Sequence, residues 1–170
     1  MRHLGLTIAA AGLAALLAGC GKSQTGNQAE PAQANAVQPS TTASEPTDAQ
    51  KKAAVATLPA PYNAGDLANG EAKFAICKSC HTVTAGGPDM TGPNLSGVFG
   101  RKVASKPGFN YSDALKAQAF TWDAAHLDTW LTDPKAMVPD TKMTFVGFKD
   151  PNDRRDVIAY LKAETTPAPQ

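Results

Sequence analysis

A long irregular stretch limits what this chain can fold into. Residues 82–109 are rich in glycine and proline and show neither the period of a helix nor the alternation of a strand. The segments on either side have helical spacing. A compact domain rarely holds so much irregular chain without a central group to wrap around. The sequence therefore predicts a helical domain assembled around something besides its own side chains.

Three helices are predicted around this stretch. The first covers residues 66–77, with Gly70 between apolar residues of one face. A glycine there costs about 1 kcal/mol relative to alanine, so we expect a second helix to cross closely at that point. The second helix covers 123–132, with Asp123 as its cap, and the third covers 153–163.

The central group is indicated by the pentapeptide that runs from Cys77 to His81. It reads Cys-Lys-Ser-Cys-His, the C-x-x-C-H pattern by which c-type haem is attached. The thiols of Cys77 and Cys80 add to the two haem vinyl groups, and the adjacent imidazole reaches the iron. A redox-active cysteine pair would be expected next to a βαβ unit, which is not apparent. A zinc site would need further ligands at suitable spacing.

The N-terminus has the features of an export signal. Arg2 and His3 precede an apolar run, residues 4–18, which is short for a transmembrane helix of about 20 residues. The run ends in Leu-Ala-Gly-Cys, which resembles a bacterial lipobox, with Cys20 as the acylated residue. An ordinary signal peptide with a stray cysteine and an uncleaved anchor are the alternatives.

The composition divides the chain into four parts. Residues 1–19 are predicted to be a lipoprotein signal peptide, and 20–64 a lipid-anchored disordered tether rich in Ala, Pro, Gln and Thr. Residues 65–165 are predicted to form the folded domain, and 166–170 a disordered tail. The chain carries 16 basic and 15 acidic residues, a net charge of +1, which argues against nucleic-acid binding.

From Cys77 to Lys162 the chain resembles class I cytochrome c, closely the mitochondrial type. The resemblance extends over roughly residues 66–164. Six segments carry it: Cys77-Lys-Ser-Cys-His-Thr-Val83, Thr91-Gly-Pro-Asn-Leu95, Gly97-Val-Phe-Gly-Arg-Lys102, Tyr111-Ser-Asp-Ala114, Pro139-Asp-Thr-Lys-Met-Thr-Phe145 and Asp156-Val-Ile-Ala-Tyr-Leu-Lys162. It implies an all-α class I cytochrome c fold, with three to five helices and long loops wrapped around one covalently attached haem c.

The resemblance also implies the two axial ligands of the haem iron. They are His81 and Met143, the latter in a loop that the family places across the haem from the histidine. Met90 is too near His81 in sequence to reach the opposite haem face, and Met137 is expected to pack in the core. His126 is expected to face solvent on its helix.

Further residues around the haem follow from the same resemblance. The carbonyl of Pro93 is expected to accept the second imidazole proton of His81. Three side chains are expected near the haem propionates and one in the methionine loop: Arg101, Tyr111, Trp122 and Thr141. Leu115 and Trp130 depart from the mitochondrial type, which has a polar residue at the first position and usually a tyrosine at the second. Both departures therefore remove polar groups from the haem pocket.

The function implied is that of a one-electron carrier, not an enzyme. It would shuttle electrons between membrane respiratory or photosynthetic complexes, for example from a quinol-oxidising complex to a terminal oxidase or reductase. A haem peroxidase or ligand sensor with a labile methionine is the alternative. We expect a monomer on the periplasmic side of a bacterial membrane, held by the lipid on Cys20. The implied function favours the inner membrane as the site of anchoring, and the outer membrane is the alternative.

Overall fold

The computed structural model describes residues 45–166, and this part of the chain is helical. Six α-helices lie in this range: α1 Asp48–Ala56, α2 Leu67–Phe74, α3 Asp113–Lys116, α4 Ala124–Thr132, α5 Pro134–Met137 and α6 Pro151–Thr165. Single 3-10 turns occur at Tyr62–Ala64 and Cys77–Ser79. The one β-type pairing between residues 45 and 166 is an isolated bridge from Lys102 to Thr121. The all-α prediction is therefore confirmed.

The three predicted helices are present, with bounds set by their caps. The Asp66 carboxylate accepts hydrogen bonds from the first backbone N–H groups of α2, and Asp123 does the same for α4. The last helix begins earlier than predicted, because Asp150 caps it and a proline occupies its first position. No helix in the described range is both long and apolar enough to cross a membrane.

Helix α1 corrects the predicted boundary of the tether. Residues 48–64 were expected to be disordered, but α1 opens with a capping box in which Thr47 and Gln50 satisfy each other's backbone N–H groups. The composition of this segment, which is poor in large apolar residues, indicates disorder. The rest of the predicted tether and the signal peptide, residues 1–44, lie outside the described residues, as do residues 167–170 of the predicted tail.

Tertiary contacts supply the stability that the composition of α1 does not suggest. Val55 is buried against Ala159 and Ala163 of α6. The ammonium of Lys51 lies 2.6 Å from the Glu164 carboxylate. Leu58, just after the helix, is part of the main core. The segment before the predicted domain is thus folded against its last helix.

Helices α2 and α6 form the closest crossing, and this crossing sets the position of the haem-attachment motif. The rings of Phe74 and Tyr160 pack with centroids 5.3 Å apart. Gly70 lies directly against the backbone of α6 at Asp156. The Asp156 carboxylate, 3% exposed, accepts hydrogen bonds from the Asp66 N–H at 3.0 Å and the Asn69 side chain at 2.7 Å. Since Cys77 follows α2 almost at once, α6 holds the motif in place.

Candidate haem site

The motif occupies a 3-10 turn that follows α2. The backbone N–H groups of Cys80 and His81 both donate to the Cys77 carbonyl, at 3.0 and 2.9 Å. Both cysteines are partly buried free thiols. Burial, with a smaller contribution from the neighbouring Cys80, raises the pKa of Cys77 to about 11. The turn therefore offers two thiols and one imidazole from five consecutive residues.

The imidazole of His81 is fixed in one tautomer. Its Nδ1 lies 2.7 Å from the carbonyl oxygen of Pro93, so the hydrogen bond expected from the resemblance is present. A carbonyl only accepts, so Nδ1 carries the proton and Nε2 keeps its lone pair. Burial lowers the pKa of His81, partly opposed by the bond to Pro93, and this favours the neutral ring. A neutral imidazole with a free Nε2 lone pair is a metal ligand.

Two residues that the sequence reasoning gave no role support this histidine. An added Cβ on Gly92 would meet the His81 ring, within 2.6 Å of Nε2, so only glycine fits there. Asn94, 4% exposed, donates to the Thr82 hydroxyl at 2.6 Å and to the Thr84 carbonyl at 2.9 Å. The sequence feature that could have indicated their role is that they flank Pro93.

Met143 is held in an anchored loop. Its backbone N–H donates to the Thr141 hydroxyl at 3.3 Å, and the N–H of Thr141 donates to the carbonyl of the fully buried Val138 at 3.2 Å. The Lys142 ammonium donates to the Asn110 carbonyl at 2.9 Å. Met143 is partly buried against the main core, as is Cys77. The loop thus ties the thioether to the core that the attachment motif contacts.

Of the three residues expected near the propionates, Tyr111 and Trp122 belong to the main core and Arg101 is partly buried. Tyr111 and Trp122 are each 9% exposed. Burial raises the pKa of Tyr111, which keeps its hydroxyl protonated. The Arg101 guanidinium donates to the carbonyls of Ser96 and Asn94, at 3.2 and 3.3 Å. Arg101 therefore braces the loop that follows Pro93.

The other residues that the sequence analysis weighed have different surroundings. Met137 packs against the core, whereas Met90 is 47% exposed. His126 is only half exposed, because its ring stacks on Phe120 with centroids 4.7 Å apart and its Nδ1 lies 2.8 Å from Asp123. The expectation of a solvent-facing histidine is thus only partly right. The two departures, Leu115 and Trp130, are both buried.

These donors fit a haem better than the alternatives. Paired thiols match covalent attachment, and an imidazole nitrogen with a thioether sulfur matches the axial ligands of low-spin haem iron. Between residues 45 and 166 there is no group of three or more His, Cys, Asp or Glu residues that could hold a metal ion. A zinc site at the cysteine pair would thus have no further ligands in this part of the chain.

Comparison with known proteins agrees with this donor set. The family model described as Cytochrome c matches residues 67–164, more than half of the chain. The protein therefore belongs to the cytochrome c family, whose members are electron carriers with one covalently bound haem c.

Individual relatives show the extent of the similarity. Cytochrome c2 of Rhodomicrobium vannielii is 52% identical over 103 residues, which is 61% of this chain and 82% of that protein. Cytochrome c of Kluyveromyces lactis is 43% identical over 105 residues, 61% of this chain and 96% of the relative. The solved structure of cytochrome cH from Methylobacterium extorquens matches with a TM-score of 0.55 and 48% identity, over 59% of this chain and all of that one.

Proposed function

We propose that this protein is a lipid-anchored electron carrier on the periplasmic side of a bacterial membrane. It takes electrons from a quinol-oxidising complex and delivers them to a terminal oxidase or reductase. The observation that supports the proposal is the fixing of the two expected axial donors: His81 by its hydrogen bond with the Pro93 carbonyl, and Met143 by its loop's hydrogen bond to Thr141. When the protein fills both axial positions, none is left for a substrate, which favours a carrier over an enzyme.

The chain's own residues supply what a carrier needs. The haem, when bound, supplies a one-electron couple at its iron. Pro93 and Gly92 keep the His81 ring in a single orientation, and Thr141 and Lys142 restrict the loop of Met143. Ligands that keep their places in both oxidation states add little reorganisation to each transfer. Histidine with methionine also raises the reduction potential relative to other haem ligations.

The carrier role can be tested with the haem-loaded full chain and membranes of the native cells. We expect quinol to reduce the protein through these membranes and the terminal acceptor to reoxidise it. Carbon monoxide should not bind the reduced protein at neutral pH, because Met143 stays in place. Rapid binding of carbon monoxide together with peroxidase activity would instead support a peroxidase or sensor with a labile methionine.

The anchoring is proposed from the sequence of the export signal, with Cys20 as the lipidated residue. Cys20→Ala should abolish lipidation and leave haem attachment at Cys77 and Cys80 intact. The variant should move to the soluble periplasmic fraction or remain as an unprocessed precursor. Intact mass spectrometry of the wild type provides the decisive measurement: a mature chain without added lipid at Cys20 would contradict the proposal.

A further inference from the structure

The connection between α1 and α2 lies before the part of the chain that the cytochrome c family model matches, yet it contributes to the main core. The match begins at residue 67. Leu58, the second residue after α1, is 7% exposed and belongs to the same buried cluster as Trp122 and Trp130. Membership of the family therefore supplies no role for this leucine, although it is buried together with residues of the haem pocket.

The position of Leu58 is fixed from both sides along the chain. Its backbone N–H donates to the Val55 carbonyl at 2.9 Å, and the side chain of Val55 is buried against α6. On the other side, the N–H of Tyr62 donates to the Pro59 carbonyl at 3.0 Å, and Tyr62 packs against the main core. Backbone hydrogen bonds and packing therefore hold Leu58 in one place on the domain.

Leu58 and Pro59 line a surface groove of about 470 Å³. Phe99, Gly100 and Trp122 line the same groove. A water molecule occupies about 30 Å³ in the liquid, so the groove has room for several. Trp122 is nevertheless only 9% exposed. Leu58 and its neighbours in the cluster therefore keep most of this indole away from water in the groove.

Trp122 connects the groove to the haem pocket. Its backbone N–H donates to the Arg101 carbonyl at 2.9 Å, and its carbonyl accepts from the Gly100 N–H at 2.8 Å. Its ring packs edge to face on Phe120 and on Trp130, with centroids 4.8 and 5.5 Å apart. Trp122 and Arg101 are the residues expected near the haem propionates, and Trp130 is expected in the haem pocket. Water that entered between Leu58 and Trp122 would thus approach the pocket.

Water close to a haem favours its oxidised state. Ferric haem carries one more positive charge than ferrous haem, and a charge is more stable in water than in apolar surroundings. Burial is accordingly one of the means by which a protein sets the reduction potential of a haem. An apolar side chain that excludes water from one side of the pocket should therefore raise this potential.

We propose that Leu58 is a positioning residue of the redox site. It covers Trp122 from the groove, keeps water from the side of the pocket where the propionates are expected, and so raises the reduction potential. The connection between α1 and α2 thereby tunes the redox site as well as joining two helices. The inference rests on the haem site of the proposed carrier and not on its partners, so its failure would leave the carrier function standing.

The test uses the haem-loaded full chain with Leu58→Ala, which opens the cover, and Leu58→Met, which nearly keeps the volume of the side chain. The matched control is Leu67→Ala. It removes the same atoms from a partly buried leucine that packs against the other cluster, beside α6, and does not line the groove. A redox titration measures the potential of each protein. NMR of the reduced proteins measures how fast the indole N–H of Trp122 exchanges with solvent.

For Leu58→Ala we expect the redox equilibrium to shift towards ferric haem by about threefold to tenfold, where tenfold corresponds to 59 mV for one electron. The indole N–H of Trp122 should exchange faster, and the far-red band of iron–thioether ligation should remain. Leu58→Met and Leu67→Ala should keep the potential and the exchange rate of the wild type, although Leu67→Ala loses stability.

The smaller truncation Leu58→Val should show the same changes at reduced size, and it serves as the test if Leu58→Ala does not fold. A potential that is unchanged or raised in the truncated variants would overturn the proposal. An equal fall in Leu67→Ala would show a general loss of stability instead of a role for Leu58. Loss of the far-red band in Leu58→Ala would place the effect on the methionine ligand and would also overturn the proposal.

Discussion

Replacing Met143 by alanine is expected to lower the reduction potential by on the order of a hundred millivolts, since axial ligation sets haem potentials over about 0.8 V. Haem attachment should survive, because the expected attachment residues, Cys77 and Cys80, are unchanged. The loop should stay in place, because Thr141 and Lys142 are anchored independently of the methionine side chain. A redox titration measures the potential, and loss of the weak far-red band of iron–thioether ligation reports the missing sulfur.

A matched control separates ligation from packing. Met137→Ala also removes a partly buried methionine that packs against the main core, so it should reduce stability while keeping the far-red band and the potential. Reduced Met143→Ala should bind carbon monoxide at neutral pH, and Met137→Ala should not. If Met143→Ala keeps the far-red band, another residue is the ligand, and the proposed carrier site must be revised.

Much of the site could be predicted from the sequence because its geometry is local. Cys77 to His81 form one turn, so their spacing alone defines what they can attach. The bond between His81 and Pro93 was predicted only through the resemblance, since the two partners are twelve positions apart in irregular chain. Gly92 was missed because its role depends on where an imidazole lies in space, and this cannot be derived from the sequence neighbours of a glycine.

The fold was predicted where caps and apolar periodicity agree, and missed where tertiary contacts decide. Helices α2, α4 and α6 have aspartate caps and apolar faces. Helix α1 has a capping box that is visible in the sequence, but it has no apolar face of its own. Its hydrophobic burial comes mainly from Val55, which packs against α6. Helices α3 and α5 have four residues each, too short for periodicity to show.

Gly70→Ala is expected to destabilise the folded protein, although alanine is the better helix former by about 1 kcal/mol. The new Cβ would collide with the Asp156 carbonyl and lie 2.7 Å from the Tyr160 Cβ. Neither group can swing away, because one is helix backbone and the other is the root of a side chain packed on Phe74. Overpacking of this kind costs about 1–3 kcal/mol, and contact with rigid backbone places it at the upper end. The net loss of about 2 kcal/mol corresponds to a fall in Tm of roughly 10 °C for a domain of this size.

The contrast with Ala72→Gly on the same helix makes the prediction specific. Ala72 is exposed, so its replacement should cost only the difference in helix propensity, about 1 kcal/mol. If helix propensity alone determined stability, Gly70→Ala would be more stable than the wild type and Ala72→Gly would be less stable. The close crossing of α2 and α6 predicts that Gly70→Ala is the less stable of the two. Denaturant unfolding of the haem-loaded proteins, followed by tryptophan fluorescence, decides between these orders. A Gly70→Ala protein at least as stable as wild type would mean that α2 and α6 can separate at this point without loss.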